Sequence, residues 1–279
     1  MNIPAVPLRP SRVLSRLRAG EVVSCTKMNL SDPRVVEIAA MAGLDCVWLD
    51  MEHVANGTRD IENAIRAAKA YNCDALVRVA RGSYSDLIRP LEMDAAGIMV
   101  PHVMSGDDAR HVIRQTRFHP LGLRALDGGN TDGAYCSVPL TDYMRHANEQ
   151  RFVVLQIEDP EAVDSLDDIA AVPGVDMLFF GPGDYSHALG IPGQMDDPRI
   201  EQARQAVAAA AKKHDIFAGT VTGAAGLEHC VALGYQFLSV GADVVALNQA
   251  FRKTVAAFTG TREAAQPASI YAASSKDKA

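Results

Sequence analysis

The amino-acid sequence predicts a single (β/α)₈ barrel, and three observations lead to that fold class. Eight short apolar runs alternate strictly with segments of helical spacing, which is typical of a parallel sheet. The eight strand–helix units occupy about 250 residues, the usual size of such a barrel. No glycine-rich phosphate-binding motif follows the first strand, and a doubly wound open sheet is the less favoured alternative.

The predicted strands are mostly continuous runs of Val, Ile, Leu and Phe. A strand in a helix-covered parallel barrel is buried on both faces, and an unbroken apolar run is its usual pattern. In chain order, the predicted strands are residues 22–26, 46–50, 75–79, 97–100, 152–157, 177–180, 217–221 and 237–240.

The segments between the strands carry the periodicity and the terminal residues of helices. Asp32 and Pro33 suit the N-cap and the first position of a helix. Ile61, Ile65 and Ala68 fall on one face of another. The predicted helices are residues 11–19, 33–41, 58–71, 85–93, 106–116, 141–148, 162–170, 198–214, 224–233 and 244–258.

One barrel domain is predicted at residues 11–260, between an N-terminal extension (residues 1–10) and a flexible tail (residues 261–279). The tail is rich in Ala, Ser, Lys and Asp and has little periodicity. Residues 117–139 form one long irregular connection. Connections of that length inside a compact domain are usually lids or binding loops.

Composition narrows the class of protein. Hydrophobic residues make up 48% of the chain and charged residues 22%, as in ordinary globular domains. The net charge of −7 argues against nucleic acid or an anionic membrane as the partner. No apolar run is long enough to span a bilayer, and the first ten residues lack the apolar core of a signal peptide. The five cysteines have no paired spacing, so these features together predict a cytoplasmic enzyme.

Two carboxylates stand near the ends of neighbouring strands, Glu158 after the fifth and Asp184 after the sixth. In a barrel the carboxyl ends of the strands form the rim that carries the active site, so these side chains are expected to lie close together. Paired carboxylates suit a hard divalent cation such as Mg²⁺ or Mn²⁺. The plainer alternative is that both residues cap the helices that follow them.

Other strand ends add polar residues to the same half of the rim. Asp50 and His53 follow strand two, Arg78 lies in strand three and Gln156 in strand five. Histidine, arginine and carboxylates on adjacent strands favour an active site over a structural role for all of them. Taken singly, Asp50 with His53 is also explained as a helix cap, and Arg78 as the partner of Glu158 in a buried ion pair.

With these residues in place, the chain resembles the HpcH/HpaI family. These are class II, metal-dependent pyruvate aldolases of the phosphoenolpyruvate/pyruvate barrel superfamily. The motifs that carry the resemblance, in the order of the family, are WLDMEH at 48–53, Arg78, IMVP at 98–101, QIE at 156–158 and FGPGDYS at 180–186.

The resemblance implies a role for each matched residue. Glu158 and Asp184 match the carboxylates that bind the divalent metal, Mg²⁺ or Mn²⁺, with Co²⁺ as a third candidate. Arg78 matches the arginine that holds the pyruvate oxygen and the developing enolate. His53 matches the region of the catalytic base, and Asp50 the carboxylate that orients it or its water.

The remaining matched positions concern the substrate and the ligands of the metal. Gln156 is expected beside the metal as a hydrogen-bonding group. The backbone amides of Gly183 and Asp184 are expected to bind the substrate carboxylate, because glycine permits close approach and a helical turn follows.

Two features depart from the family pattern. Lys27 at the end of strand one stands where compared aldolases carry an aromatic residue, and a lysine there suits a second carboxylate or phosphate on the substrate. The loop at 123–135 is rich in Gly, Asp and Asn, and suits either a flexible lid contacting the aldehyde through Arg124 and Asn130 or an ordinary surface loop.

The resemblance implies a lyase that joins or separates a metal-bound pyruvate enolate and an aldehyde, with 4-hydroxy-2-oxo acids as substrates. One alternative is related enolate chemistry on oxaloacetate or an acyl thioester, as in citrate-forming, citryl-thioester-cleaving or macrophomate-synthase-like relatives. Another is a non-catalytic barrel. The resemblance also implies a homo-oligomer, a hexamer or trimer, in which the C-terminal helix packs on a neighbour.

Overall fold

The structure, a computed structural model, describes residues 7–259 as a closed barrel of eight parallel strands surrounded by helices. Each strand pairs with the next in the chain, and β8 closes the barrel against β1. The predicted fold class is confirmed. The strands are β1 (Val23–Met28), β2 (Cys46–Asp50), β3 (Asp74–Arg78), β4 (Gly97–Val100), β5 (Phe152–Ile157), β6 (Met177–Phe180), β7 (Phe217–Thr222) and β8 (Phe237–Ala242).

Helices cover the outside of the barrel, and α1 precedes its first strand. No helix in the described part of the chain combines the length and apolar character needed to cross a membrane. The α-helices of residues 7–259 are α1 (Arg12–Arg18), α2 (Pro33–Met41), α3 (Thr58–Ala70), α4 (Tyr84–Glu92), α5 (Gly106–Thr116), α6 (Leu140–Gln150), α7 (Pro160–Asp164), α8 (Leu166–Ala170), α9 (Pro182–Ala188), α10 (Pro198–Lys213), α11 (Leu227–Leu233) and α12 (Asp243–Thr259).

Three helices differ from the sequence prediction. The helix predicted at 224–233 is α-helical only from Leu227, after a 3₁₀ turn at Ala224–Gly226. The helix predicted at 162–170 is divided into α7 and α8, which meet at Ser165. The helix α9 follows β6 directly, where a helical turn was expected but no bounds were predicted, because its seven residues include Pro182 and Gly183 and carry little apolar periodicity. Residues 1–6 and 260–279 lie outside the described residues, and the predicted domain boundaries stay predictions.

Alternate side chains of the strands fill the interior of the barrel. Trp48 packs edge to face on Phe179, with 5.6 Å between ring centroids, and Phe179 packs in the same way on Phe237 at 6.2 Å. Gly219 leaves the space that these rings occupy, since a Cβ atom there would lie 2.8 Å from the Phe179 ring. The barrel is therefore a packed core with aromatic side chains at its middle.

The helix α1 covers the amino end of the barrel. Its residues Val13, Leu14 and Leu17 belong to the same buried cluster as the barrel interior. The buried carboxylate of Asp74 at the start of β3 anchors the helix by accepting hydrogen bonds from Ser11 Oγ at 2.6 Å and the Val13 amide at 2.9 Å. Because apolar packing closes this end, the polar chemistry is confined to the opposite end, as in other barrels.

The long connection between α5 and α6 is packed by a buried polar network. The Arg124 guanidinium donates to Asp132 at 2.8 Å and lies over the Phe118 ring, 4.8 Å from its centroid. The Tyr143 hydroxyl donates to the same Asp132 oxygen at 2.7 Å. These contacts favour a packed loop over a lid for this part of residues 117–139. They also engage Arg124, which the sequence analysis considered as a contact to the aldehyde.

Candidate active site

Buried polar side chains form a layer above the apolar interior at the carboxyl ends of the strands, here called the rim. Lys27, Asp50, Arg78 and Gln156 each follow interior apolar residues by the alternation of their strands, and all four are buried. Buried charges are unfavourable unless they are paired. The partners of each rim residue therefore show what the site is built to do.

Asp50, at the end of β2, is the central anion of this layer. Its fully buried carboxylate accepts two hydrogen bonds from Arg78, from Nε to Oδ1 at 3.0 Å and from Nη2 to Oδ2 at 2.6 Å. Lys27 Nζ lies 2.7 Å from the same Oδ2 atom. Burial alone would raise the pKa of Asp50, but hydrogen bonds and charge from Arg78 and Lys27 outweigh it and hold the pKa well below its usual value. Asp50 is therefore ionised at neutral pH.

The guanidinium of Arg78 is held on three sides. Its Cζ atom lies 4.7 Å from the centroid of the Trp48 ring, a cation–π contact. Its Nη1 atom lies 3.0 Å from Glu52 Oε2, while Asp50 holds Nε and Nη2. A planar group fixed in this way presents its donors in a defined direction.

The His53 imidazole lies beside Glu52 rather than against the Asp50 carboxylate. The side chain is 56% exposed, and Nε2 is 3.6 Å from Glu52 Oε2. Asp50 Oδ1 instead accepts from the backbone amides of Glu52, at 3.0 Å, and His53, at 3.5 Å. Asp50 thus organises the loop after β2 through its backbone, and the roles proposed for Asp50 and His53 stay predictions.

Glu158, directly after β5, is buried beside two hydrogen-bond donors. The His102 backbone amide donates to Oε1 at 3.1 Å, and the Gln156 side-chain amide donates to Oε2. Burial raises the pKa of Glu158 to about 7, the charge of His102 opposes this shift, and the charge of Asp184 adds to it. The interaction shows that the two predicted metal-binding carboxylates lie within electrostatic reach of each other.

His102 joins the loops that follow β2, β4 and β5. Its φ angle of 52° is uncommon for a residue with a side chain and directs the amide toward Glu158. Ring Nδ1 lies 2.9 Å from Asp159 Oδ2, and Nε2 lies 3.7 Å from Glu52 Oε1. Burial lowers the pKa of His102, but these carboxylates raise it by more.

The residues after β6 combine close packing with open space. A Cβ atom at Gly181 would lie 3.0 Å from Glu158 Oε2 and 3.2 Å from Gln156 Nε2, so glycine lets the strand end approach the carboxylate. A Cβ atom at Gly183 would meet nothing within 4 Å. Asp184 is exposed in the first turn of α9, where backbone amides have no partner within the helix.

These residues fit a divalent cation. Repulsion between Glu158 and Asp184 contributes to the raised pKa of Glu158, and a cation between them would relieve it. Gln156 Oε1 is buried without a hydrogen-bond partner and is free to accept from a metal-bound water. Within residues 7–259, no three His, Cys, Asp or Glu side chains form a complete metal site. The protein would therefore supply two carboxylates, and substrate and water the other oxygens.

Two contacts in the site were not predicted from the sequence. Lys27 shares the Asp50 carboxylate, and Glu52 pairs with Arg78. The alternation of side chains along β1 could have predicted that Lys27 points into the barrel. The contact of Glu52 with Arg78 could not be predicted in this way, because it depends on the path of a loop. The ion partners of Arg78 in the described structure are Asp50 and Glu52, in place of the Glu158 pair considered above.

The fold and the rim together define a (β/α)₈ barrel with buried, paired charges at the end where the active sites of barrel enzymes lie. The sequence profile of the HpcH/HpaI aldolase/citrate lyase family matches residues 28–250, and the chain belongs to this family.

Among relatives, a hydroxypyruvate/pyruvate aldolase of Pseudomonas aeruginosa is 32% identical over 254 residues, covering 90% of this chain and 93% of the relative. A 2-keto-3-deoxy-L-rhamnonate aldolase of Escherichia coli is 31% identical, with coverages of 87% and 91%. The chain is thus a carbon–carbon lyase, and the non-catalytic alternative is set aside.

Solved structures agree with the assignment of the family and the fold. The HpcH/HpaI aldolase from Desulfitobacterium hafniense superposes with a TM-score of 0.84 at 33% identity, covering 89% of this chain and 97% of that one. The citrate synthase SbnG gives a TM-score of 0.81 at 32% identity, with coverages of 88% and 96%.

We expect Asp50→Ala to lower the free energy of unfolding by about 3–5 kcal/mol, because it leaves Arg78 and Lys27 buried without their shared anion. Adding Lys27→Met to that variant removes one of the two unbalanced cations. The double variant should therefore recover about 1 kcal/mol or more, as measured by urea denaturation in a double-mutant cycle. Strictly additive losses would contradict the electrostatic coupling of Asp50 and Lys27.

Proposed function

We propose that this protein is a class II pyruvate aldolase, which forms or cleaves the bond between a pyruvate-derived enolate and an aldehyde in 4-hydroxy-2-oxo acids. The observation that supports the proposal best is the guanidinium of Arg78, fixed by Asp50 and Glu52 within electrostatic reach of Glu158. A permanently charged fork within electrostatic reach of a carboxylate suited to a cation is a fitting environment for an enolate oxygen.

We infer that Glu158 and Asp184 hold the divalent cation, with Mg²⁺ and Mn²⁺ the best candidates and Co²⁺ a third, because hard cations prefer oxygen ligands. A cation bound there would polarise the 2-oxo group of the substrate and offset its developing charge. The Gln156 amide orients the Glu158 carboxylate. The first-turn amides of Gly183 and Asp184 are assigned to the substrate carboxylate.

In the cleavage direction, a base removes the proton of the 4-hydroxyl group, and the C3–C4 bond breaks as the aldehyde carbonyl forms. The electron pair of that bond becomes the enolate, whose oxygen Arg78 holds until C3 takes up a proton. We assign the base to His53, whose exposed imidazole lies beside Glu52. Asp50 keeps Arg78 aligned, and it also holds the loop that carries His53 by accepting a hydrogen bond from the His53 backbone amide.

A second candidate function uses the same enolate with oxaloacetate or an acyl thioester as the other reactant. The likeness to the citrate synthase SbnG favours it, since its identity of 32% equals that of the Pseudomonas aldolase. The residues that would stabilise the enolate are the same in both reactions. The two functions therefore differ only in the reactant that combines with the enolate. An assay of enolate formation alone tests the step that both share and leaves the identity of that reactant to a separate assay.

We further propose a homo-oligomer, a trimer or hexamer, in which α12 packs on a neighbouring subunit. The helix exposes Leu247 and Phe251, the latter to 65%. Exposed apolar residues on one element commonly mark an interface. A cytoplasmic location is also proposed, because all five cysteines are free thiols. A disulfide found in the native protein by mass spectrometry would contradict that location.

The first prediction of the aldolase proposal concerns exchange of the pyruvate methyl protons with D₂O, followed by NMR. Exchange should stop with a chelator and return with Mg²⁺, Mn²⁺ or Co²⁺, because it requires the enolate and no acceptor. Glu158→Gln should weaken metal binding tenfold or more by calorimetry, whereas Asp167→Asn, which changes an exposed carboxylate, should not. Exchange that persists without metal would sink the metal-dependent class, and turnover with oxaloacetate and a thioester alone would favour the second candidate.

Arg78→Ala should lower kcat/KM by about 30- to 1000-fold, which corresponds to about 2–4 kcal/mol of lost transition-state stabilisation. Arg78→Lys keeps the charge but not the planar fork, so its loss should be intermediate. Steady-state kinetics on a 4-hydroxy-2-oxo acid, with circular dichroism to check folding, make the comparison. Near-normal turnover of a folded Arg78→Ala variant is incompatible with the assigned role.

Phe251→Asp should reduce the assembly to smaller species, because it places a charge in the proposed apolar interface. Phe251→Leu keeps the side chain apolar and serves as the matched control. Light scattering after size-exclusion chromatography measures the mass of each. If both variants and the original protein have the same mass, α12 does not form the interface.

A further inference from the structure

Lys27 is a buried charged residue to which the proposed reaction assigns no step. Its side chain is 6% exposed and extends from β1 into the polar layer of the rim, where Nζ contacts Asp50 and lies 5.6 Å from the centroid of the Trp48 ring. Lysine is seldom buried to this extent without a specific partner. The position of its ammonium therefore calls for an explanation beyond packing.

Lys27 and Arg78 converge on one oxygen atom. Lys27 Nζ and Arg78 Nη2 both lie within 2.7 Å of Asp50 Oδ2, so two cations share the charge of a single carboxylate. Cations this close in a buried site repel each other. Glu52 offers Arg78 a second anion from its other side, at 3.0 Å. Lys27, by contrast, has three donor hydrogens and, among the described residues, one carboxylate that it shares.

The strand next to Lys27 offers open space and an unused hydroxyl group. In the β1–β8 pairing, Lys27 is level with Ala242, and the preceding Gly241 has a φ angle of 68°. A Cβ atom at Gly241 would meet nothing within 4 Å. Ser239, two residues earlier on β8, has a buried Oγ atom without a hydrogen-bond partner. An anion held here would supply acceptors for the remaining donors.

The charges of the rim divide the site into two parts. Glu158, Asp184 and Arg78, on the β3 and β5–β6 side, are assigned to the pyruvate half of the substrate. On the β7–β8–β1 side, strand ends such as Thr222 and Gly241 are uncharged, and Lys27 is the cation. Asp243 follows β8, but its buried carboxylate already accepts hydrogen bonds from the backbone amides of Asn29 and Leu30, at 2.8 and 2.9 Å. The aldehyde half of the substrate is therefore expected on the Lys27 side.

We propose that Lys27, with the rim of β8, forms a second oxyanion subsite, so that the acceptor is an aldehyde bearing a carboxylate or phosphate group. This inference rests on the proposed aldolase function and specifies its substrate class. An ammonium bound to such an anion forms charge-assisted hydrogen bonds, which are stronger than those to neutral oxygens. Lys27 is then a specificity-determining residue, with Asp50 fixing the direction of its ammonium.

The test compares kcat/KM for matched pairs of acceptors with pyruvate as the donor. Butanal is paired with succinate semialdehyde, which has a carboxylate in place of the methyl group. Glyceraldehyde is paired with its 3-phosphate. The original protein should prefer one anionic member, and Lys27→Met should lower the anionic-to-neutral ratio tenfold or more. Lys27→Arg should keep most of the preference. The pair whose ratio falls identifies the anion as a carboxylate or a phosphate.

The ratio separates recognition from a general disturbance, because any effect of Lys27→Met on Arg78 through Asp50 lowers both members of a pair alike. Equal losses, or no anionic preference in the original protein, would overturn the subsite. Lys69→Met, which removes a lysine paired with Asp94 outside the rim, is the matched control and should leave the ratio unchanged. If Lys27→Met does not fold, Lys27→Gln takes its place.

Pyruvate proton exchange in the original protein is measured alongside. If the original protein shows no exchange, the aldolase proposal itself is contradicted. If exchange occurs but Lys27→Met leaves the anionic-to-neutral ratio of kcat/KM unchanged, only the subsite proposal is contradicted.

Discussion

A single buried carboxylate, that of Asp50, balances two buried cations, and the geometry of the rim depends on it. Without an anion between them, Arg78 and Lys27 would be two unbalanced charges inside the barrel, which is strongly destabilising. The same carboxylate accepts from backbone amides after β2 and so fixes the loop that carries Glu52 and His53. The arginine fork, the lysine ammonium and the proposed base therefore share one anchor. The Trp48 ring beneath both cations completes the arrangement.

Two rim carboxylates show opposite shifts of their pKa values, and the difference indicates different tasks. Asp50 faces two cations, which hold its pKa low, whereas burial raises the pKa of Glu158 with the help of Asp184. The first carboxylate is a permanent anion that positions other groups. Burial and the charge of Asp184 disfavour the ionised form of the second, and a cation bound beside it would stabilise that form. Environment, rather than residue type, separates these tasks.

Backbone geometry delivers the groups that surround Glu158. The left-handed conformation of His102 turns an amide toward the carboxylate, and the absence of a side chain at Gly181 lets the end of β6 approach it. Such uncommon backbone geometry tends to persist where the surrounding structure enforces it. Here the network of His102 with Glu52 and Asp159 ties three strand ends together. The site is thus supported by loops as much as by strands.

The sequence by itself determined the barrel fold and which residues stand at the carboxyl ends of its strands. Strict alternation of buried strands and helices allows few topologies, and in a barrel the ends of the strands must meet. For that reason Arg78, Glu158 and Asp184 could be placed near one another before any coordinates. The bounds of the helix α9 were not predicted because Pro182 and Gly183 obscure its periodicity, although a proline suits the first turn of a helix.

Only the tertiary structure decided which of these residues contact one another. Asp50 is level with Arg78 in the β2–β3 pairing, and this register brings their side chains together. Lys27 reaches the same carboxylate from β1, whereas His53 leaves the layer with the loop that carries it. Contacts of this kind depend on the stagger of the strands and the path of the loops. Local sequence does not encode either one, because both follow from closing the whole barrel.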